Sequence, residues 1–567
     1  GLFSSTGTSV AMNLDGAVID SSVIGGTTPA AGTFTTLTAT TVNGISSKTF
    51  GTNSIMIGDN ATGTIDAADN NTGVGVDIFT TLTSGDSNTA LGHRALRIVT
   101  TGSSNISIGK DSLYAHTTGS SNVAVGVSAL QNNTTASNNT AVGQQALFAN
   151  TTANNNTAFG YQALLYNTTG TDNVAMGVLA LENNTTGTNN VGLGREALGA
   201  NTTASNNTAV GYQALLANTT GTENVAVGSL ALDACTTGTR NTAVGYIALS
   251  SITGANDNTA VGREALRDNT ANDNTAVGKE ALKLNTSGTS NTAVGKHALN
   301  VNTTGAENVA IGANALDANT TANDNVAVGG AALGANTTGA DNVAIGRVAL
   351  AANTTASNNV AIGRNALLSN TTGAGNTALG SGAGDTITTG GENTVLGYGA
   401  DVGAAGNNRC NIIGSSVSGA SDYTTLGYST SEIRAAHGST TWATVSDERV
   451  KKDIEDSTVG LNFINDLRPV TFNYRNKGDL PTEFKGYEEG STEVYKSEKS
   501  QHGFIAQEVK AAIDKHSDIK NGFSLWDDDD ETGQQRVAEA ALIPILTKAV
   551  QELSAKVEEL ESKLNGE

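Results

Sequence analysis

The stretch NTAVGYQALLANTTGTE (207–223) is one copy of a unit that recurs along most of this 567-residue chain. Its opening pentad, of the form N-x-A-x-G, returns from Asn71 to Asn393 at intervals of 17 residues, with a single interval of 16 between Asn258 and Asn274. Ser54 and Cys410 hold the same register one turn outside that run, which makes 22 turns. A fixed period of this size marks a stacked repeat, in which each unit buries its apolar face only against its neighbours. The short copy reads NTA (269–271) where neighbouring copies read NTTA, so the missing residue falls in a surface loop, where a deletion is tolerated.

Within the unit, the residue before the glycine is apolar and an Ala-Leu pair follows three residues after it. This arrangement predicts two short strands per turn, with the glycine at one tight corner and NTTG or NTTA at the other. Asparagines stacked in register would hydrogen-bond to one another along the axis. A helical reading competes, because REAL (195–198) and KEAL (279–282) contain good helix formers. Five or six residues between Gly and Asn-Thr breakers are too few for a stable helix, so a β-solenoid is preferred. At about 4.8 Å per turn the stack would be on the order of 100 Å long. Such a coil is too slender to enclose much core. With valine or isoleucine on one strand face and alanine on the other, it would expose a long apolar stripe. Self-association would bury that stripe, most compactly as a three-fold bundle. The many NTT sequons are read as turn chemistry rather than glycosylation sites.

The repeats resemble the NxAxG-type head repeats of trimeric bacterial adhesins, which are left-handed β-rolls wound as trimers; the motif matches, but the period here is longer. Ahead of them, GAVIDSSVIGGTTPAAGTFTTLTATTVNG (16–44) resembles connector segments of tailed-phage fibre proteins. The expected fold class is mostly β. It comprises an N-terminal β connector (1–53), a trimeric β-solenoid shaft of 17-residue repeats (54–414) and a cap or neck (415–445). A small α+β domain (446–567) follows and ends in a coiled-coil helix over about 540–564.

Charge supports the boundary at 446. Of the 84 charged residues, 42 lie in the last 122 (16 basic, 26 acidic). The net charge of -22 has no basic block to offset it, so nucleic acid is not an expected partner. Cys235 and Cys410 are too few for a disulfide framework or a zinc site. No run of eighteen apolar residues occurs, so membrane insertion is not expected. The start, Gly1-Leu2-Phe3, has neither an initiator methionine nor a basic leader, which reads as a piece of a longer protein.

The tail differs in kind from the shaft. RPVTFNYRNKG (468–478) alternates like a half-buried strand, and HGFIAQEVKAAID (502–514) reads as a strand or turn entering a helix. Ile543, Leu546, Val550, Leu553, Val557, Leu560 and Leu564 form a heptad seam. Valine at a with leucine at d leans towards dimers in isolated parallel coils, so the heptads alone do not select a trimer. Asp527–Asp530 reads as a solvated loop, since calcium binding needs a richer ligand pattern. No metal site and no cofactor are expected.

SDERVKKDI (446–454), LNFINDLRPVTFNY (461–474), GFIAQEV (503–509) and ALIPILTKAVQELSAKVEELE (541–561), in that order, resemble the C-terminal intramolecular chaperone of phage endosialidase tailspikes and tail fibres. In that family the domain trimerises nascent chains, guides folding of the β-structure upstream and is cut off by its own serine-lysine pair. The resemblance places the nucleophile at Ser446 and the base at Lys451. Lys451 acts only when neutral, which withdrawal from water and the nearby Lys452 and Arg449 are expected to favour. Ser446 would then attack an adjacent carbonyl and form an ester that water resolves. Attack on Val445 is the less strained route, but the bond finally cut can be Val445–Ser446 or Ser446–Asp447. Ser446 capping a helix that opens with Asp447 and Glu448 is the plain alternative. The family often carries a histidine two residues before the glycine of GFIAQE; here Gln501 holds that place and His502 is adjacent, so His502 is at most an accessory group.

The combined expectation is a trimeric phage tail fibre, exposed on the virion and made in the host cytoplasm. It would attach to a host-surface receptor and join other tail proteins through its N-terminal side. Its only enzymatic act would be on its own chain. A chaperone at one end suits a repeat shaft, because identical turns can slip by 17 residues at almost no cost. Its later removal leaves a fibre held by a kinetic barrier. A bacterial trimeric surface adhesin and an ice-binding or other repetitive-surface protein are the rival classes. No paired carboxylates recommend glycan hydrolysis.

Overall fold

The computed structural model describes residues 47–48, 53–57, 67–439, 442–444, 448–484, 486–519, 525–528 and 535–566. Nearly all of the expected connector, including 16–44, lies outside the described residues. The chain divides into two compact units, Gly1–Val445 and Ser446–Glu567.

The first unit is a parallel β-solenoid. Each turn contributes one three-residue strand, such as Thr208–Val210, which pairs in register with Val225–Val227 of the next turn. The same pairing runs without a slip from Ile55–Ile57 to Asn411–Ser415. It crosses the 16-residue turn, where Thr259 still pairs with Thr275. Two strands per turn were expected; only one forms, except at the C-terminal end of the coil, where Asp401–Val402 also pairs with Ser418–Gly419. The Ala-Leu side is a run of turns in which Gln213 and Leu215 both have φ of 53°. Left-handed backbone at alternate residues cannot extend into a strand. Its amides still pair from turn to turn, Leu215 N–H with Ala231 O at 2.9 Å and Ala217 N–H with Asp233 O at 3.0 Å. A left-handed leucine costs about 1–2 kcal/mol, and burying the side chain returns a similar ~1.5–3 kcal/mol.

The corner glycine has no substitute. Gly211 has φ of +138°, and a Cβ there would stand 2.5 Å from the carbonyl oxygen of Gly228.

The interior is fuller than the slender coil expected. Each turn sends Ala209, Ala214 and Leu215, or their equivalents, into one continuous core. In most turns two asparagines are also fully buried, here Asn207 and Asn218. Asn207 Oδ1 accepts the backbone N–H of Asn224 (3.0 Å) while its Nδ2 donates to Gly221 O (2.8 Å). Asn218 Nδ2 donates to Asn201 Oδ1 (2.9 Å) and to the same Gly221 O (3.0 Å). Two side-chain ladders therefore run up the coil and converge on one carbonyl per turn, which meets the need of buried amides for partners. The NTT asparagines are thus structural and buried, as turn chemistry requires.

The shaft closes with Tyr423–Tyr428, parallel to Asn411–Ser415 and antiparallel to Ser431–Ala436, which in turn pairs with Ala443–Thr444.

The second unit is a small α/β body. Val470–Phe472 pairs antiparallel with Gln501–Gly503. Helices α1 (Leu461–Asp466), α2 (Ala506–Lys515) and α3 (Ile543–Asn565) complete it. Phe463, Val509, Ile513, Leu542 and Ile545 share its core. Trp526–Asp528 is a strand paired with Gln535–Val537, so Asp527 and Asp528 are not in the solvated loop expected of them. Cross-strand pairing there overrides a polar sequence.

Candidate functional site

The residues proposed for bond cleavage bracket the start of the second unit. Val445, Ser446 and Asp447 lie outside the described residues. Glu448–Val450 is a single 3₁₀ turn, and Lys451 N–H donates to Glu448 O at 3.0 Å, so Lys451 follows that turn directly. Its side chain and that of Lys452 are exposed. Among the described residues beside it, Glu448 and Arg449 are exposed as well.

His502 sits mid-strand opposite Thr471, whose hydroxyl is 3.1 Å from His502 Nδ1. The histidine borders a groove of about 610 Å³ that the sequence did not disclose. Phe472 and Tyr474 meet edge to face at 5.4 Å, and Tyr474 and Tyr495 at 6.2 Å. The Lys496 amine lies over the rings of Tyr474 and Tyr495, at 5.7 and 5.4 Å. A signal was present in the spacing of Phe472 and Tyr474, which places both rings on one face of an extended segment; their partners come from elsewhere in the chain.

Helix α3 has two faces. Leu542, Ile545 and Ala549 are buried against the body, and the Glu552 carboxylate accepts the Leu461 N–H at 2.8 Å, which tethers the helix to α1. All seven heptad residues lie on a neighbouring stripe, about 100° round the helix, and are exposed: Ile543 63%, Leu546 44%, Val550 64%, Leu553 51%, Val557 45%, Leu560 64% and Leu564 77%. The structure thus gathers the expected seam into one uncovered stripe beside the face that fixes the helix to the body.

Among the described residues, no group of three His, Cys, Asp or Glu is placed to hold a metal ion. No described helix is long and apolar enough to cross a membrane. Burial raises the thiols of Cys235 and Cys410 to about 11, which makes both poor nucleophiles.

Residues 446–518 match the family model described as the chaperone of endosialidase. No curated protein matches the chain.

Proposed function

We propose that the chain is a trimeric fibre or tailspike-like appendage of a tailed bacteriophage, carried on the virion and directed at a host-surface receptor. Its 446–567 unit would align three copies, guide their folding and then be released by its own Ser446–Lys451 pair. The observation that carries the reading is the similarity of 446–518 to the chaperone of endosialidase, starting where the repeat-built unit ends. The uncovered heptad stripe on α3 supports it by supplying a surface for three copies to meet.

The chemistry follows from the side chains. Lys451 takes the proton of the Ser446 hydroxyl as its oxygen attacks the Val445 carbonyl. Collapse expels the Ser446 nitrogen, which takes up that proton and leaves an ester. Water then cleaves the ester into a Val445 carboxylate and the Ser446 hydroxyl, the Ser446 amine having been freed in the step before. Lys451 is exposed in the single chain, and on this reading the cut follows assembly, when a neighbouring copy covers it.

Intact-mass measurement tests this. The parent chain should yield a 446–567 fragment of 122 residues, Ser446→Ala and Lys451→Ala should stay whole, and Lys452→Ala should still be cut. A parent chain that remains whole after folding, or a Ser446→Ala chain that is cut, removes the dyad from the account and leaves Ser446 as a helix cap.

A further inference from the structure

One face of the shaft stays uncovered within a single chain. The middle strand residue points into the core, while the first and third point out, and the third is largest and most exposed at Phe159 (53%), Met176 (47%) and Leu379 (49%). Two exposed positions bracket this face, one along each edge: the residue before the ladder asparagine and the residue after the corner glycine.

Charge is sorted between those two edges. After the glycine, from Val76 to Tyr398, stand seven lysines and arginines and no carboxylate. Before the asparagine, or its equivalent at Cys410, stand eight carboxylates from Asn70 to Arg409, against only Arg240 and Arg409. Both of those arginines are already paired with a carboxylate one turn on, Asp257 at 2.7 Å and Asp422 at 2.6 Å. On the basic edge, Arg195, Arg263 and Lys279 each pair with the glutamate that follows. Lys110, Lys296, Arg347 and Arg364 form no ion pair among the described residues, and neither do Glu307, Asp324, Asp341 and Glu392 opposite them.

We infer that this face is a directional docking surface for a second copy of the chain, with the basic edge of one copy laid along the acidic edge of the next. The inference rests on the self-assembly proposed above and adds its orientation. A rotation axis parallel to the solenoid brings opposite edges together at equal height, and a ring of three uses each edge once. An axis across the shaft makes the copies antiparallel and sets basic edge on basic edge and acidic on acidic. The apolar third-position residues supply burial in either case, so they cannot choose between the two arrangements. The edges can, because like charges disfavour the wrong partner more than a single exposed pair favours the right one. Lys296 flanks the strand Thr292–Val294 and Glu307 leads into the next strand, Val309–Ile311, so a parallel neighbour presents them to each other within one turn of height.

The full-length chain tests this with cysteines at the two edges and a short bis-maleimide cross-linker. The native Cys235 and Cys410 are buried and stay out of the reaction. Lys296→Cys/Glu307→Cys should give covalent species of two and three chains on denaturing gels, whereas Lys296→Cys alone should not. Cross-linking by Lys296→Cys alone, or none by the double variant while light scattering still reports a trimer, overturns the orientation and leaves the assembly standing. A monomer by light scattering overturns both. As a second readout, Lys296→Glu/Arg347→Glu/Arg364→Glu should lose most of its trimer at low salt. Adding Glu307→Lys/Asp324→Lys/Asp341→Lys should restore it, and failure to recover counts against the edges.

Discussion

His116 stands where most turns carry the second ladder asparagine, and it shows how narrow the chemistry of that position is. Its Nε2 lies 2.7 Å from Gly119 O, and Nδ1 lies 3.2 Å from Asn133 Nδ2, so the ring donates at one nitrogen and accepts at the other as a neutral imidazole must. Burial lowers its pKa from 6.5, partly countered by the bond to Gly119. With the folded value below the unfolded one, the stabilisation is fully present above about pH 6.5 and is lost as pH falls through the depressed folded value. His116→Asn should therefore flatten the fall in melting temperature between pH 7.5 and 5 while leaving the neutral-pH value nearly unchanged; an identical pH slope in parent and variant would refute it. Where the substitute offers no such pair of contacts, the ladder shows a gap. Asn218 and Asn370 keep a buried Oδ1 with no partner, and the residues one turn on are Cys235 and Ile387. The stacking of the asparagines was legible from their spacing. The second ladder was not, because NTT is common turn sequence and only the closed coil shows that its asparagine points inward.

Helix α3 is where sequence and structure agree most closely, since a 4-3-4-3 spacing defines one stripe whatever surrounds it. The buried face beside it, where Ile545 shares a core with Phe463 and Val509, depends on contacts more than 30 residues away in sequence and left no periodic trace. The two faces separate assembly from folding. Val550→Asp/Leu553→Asp should abolish the trimer without loss of helical circular dichroism, because both residues are exposed, whereas Ala549→Asp should unfold the unit by burying an unpaired carboxylate. A trimeric Val550→Asp/Leu553→Asp chain would exclude α3 as the seam. The shaft strand was half legible. Alternation predicted the strand Thr208–Val210, but the Ala-Leu side was also read as a strand because left-handed leucine is a poor prior for any single sequence. Of the aromatic groove only the Phe472–Tyr474 pair was legible from spacing, because Phe484, Tyr495 and Phe504 are brought to it by folding.

For the whole molecule, the difficulty is one of counting. Each turn of the shaft offers the same pairing surfaces as the turn above, so correct alignment of several copies has to be imposed from outside the repeats. If 446–567 imposes it, a chain truncated at Val445 before synthesis should accumulate as insoluble or mixed-mass material, while the same segment removed after folding should leave the melting temperature unchanged. Normal trimers from the truncated gene would end the chaperone reading. The direction of the turn-to-turn hydrogen bonds has another consequence. They lie along the axis of the coil, so a pull from end to end loads the turns in series, and the shaft withstands no more tension than its weakest pair of turns. From Asn218 through Cys235 and Ile252 to Asn269 the second ladder is absent over three successive steps. A fibre under load would therefore part at a place written into its sequence, and either side would retain intact turns from which to close again.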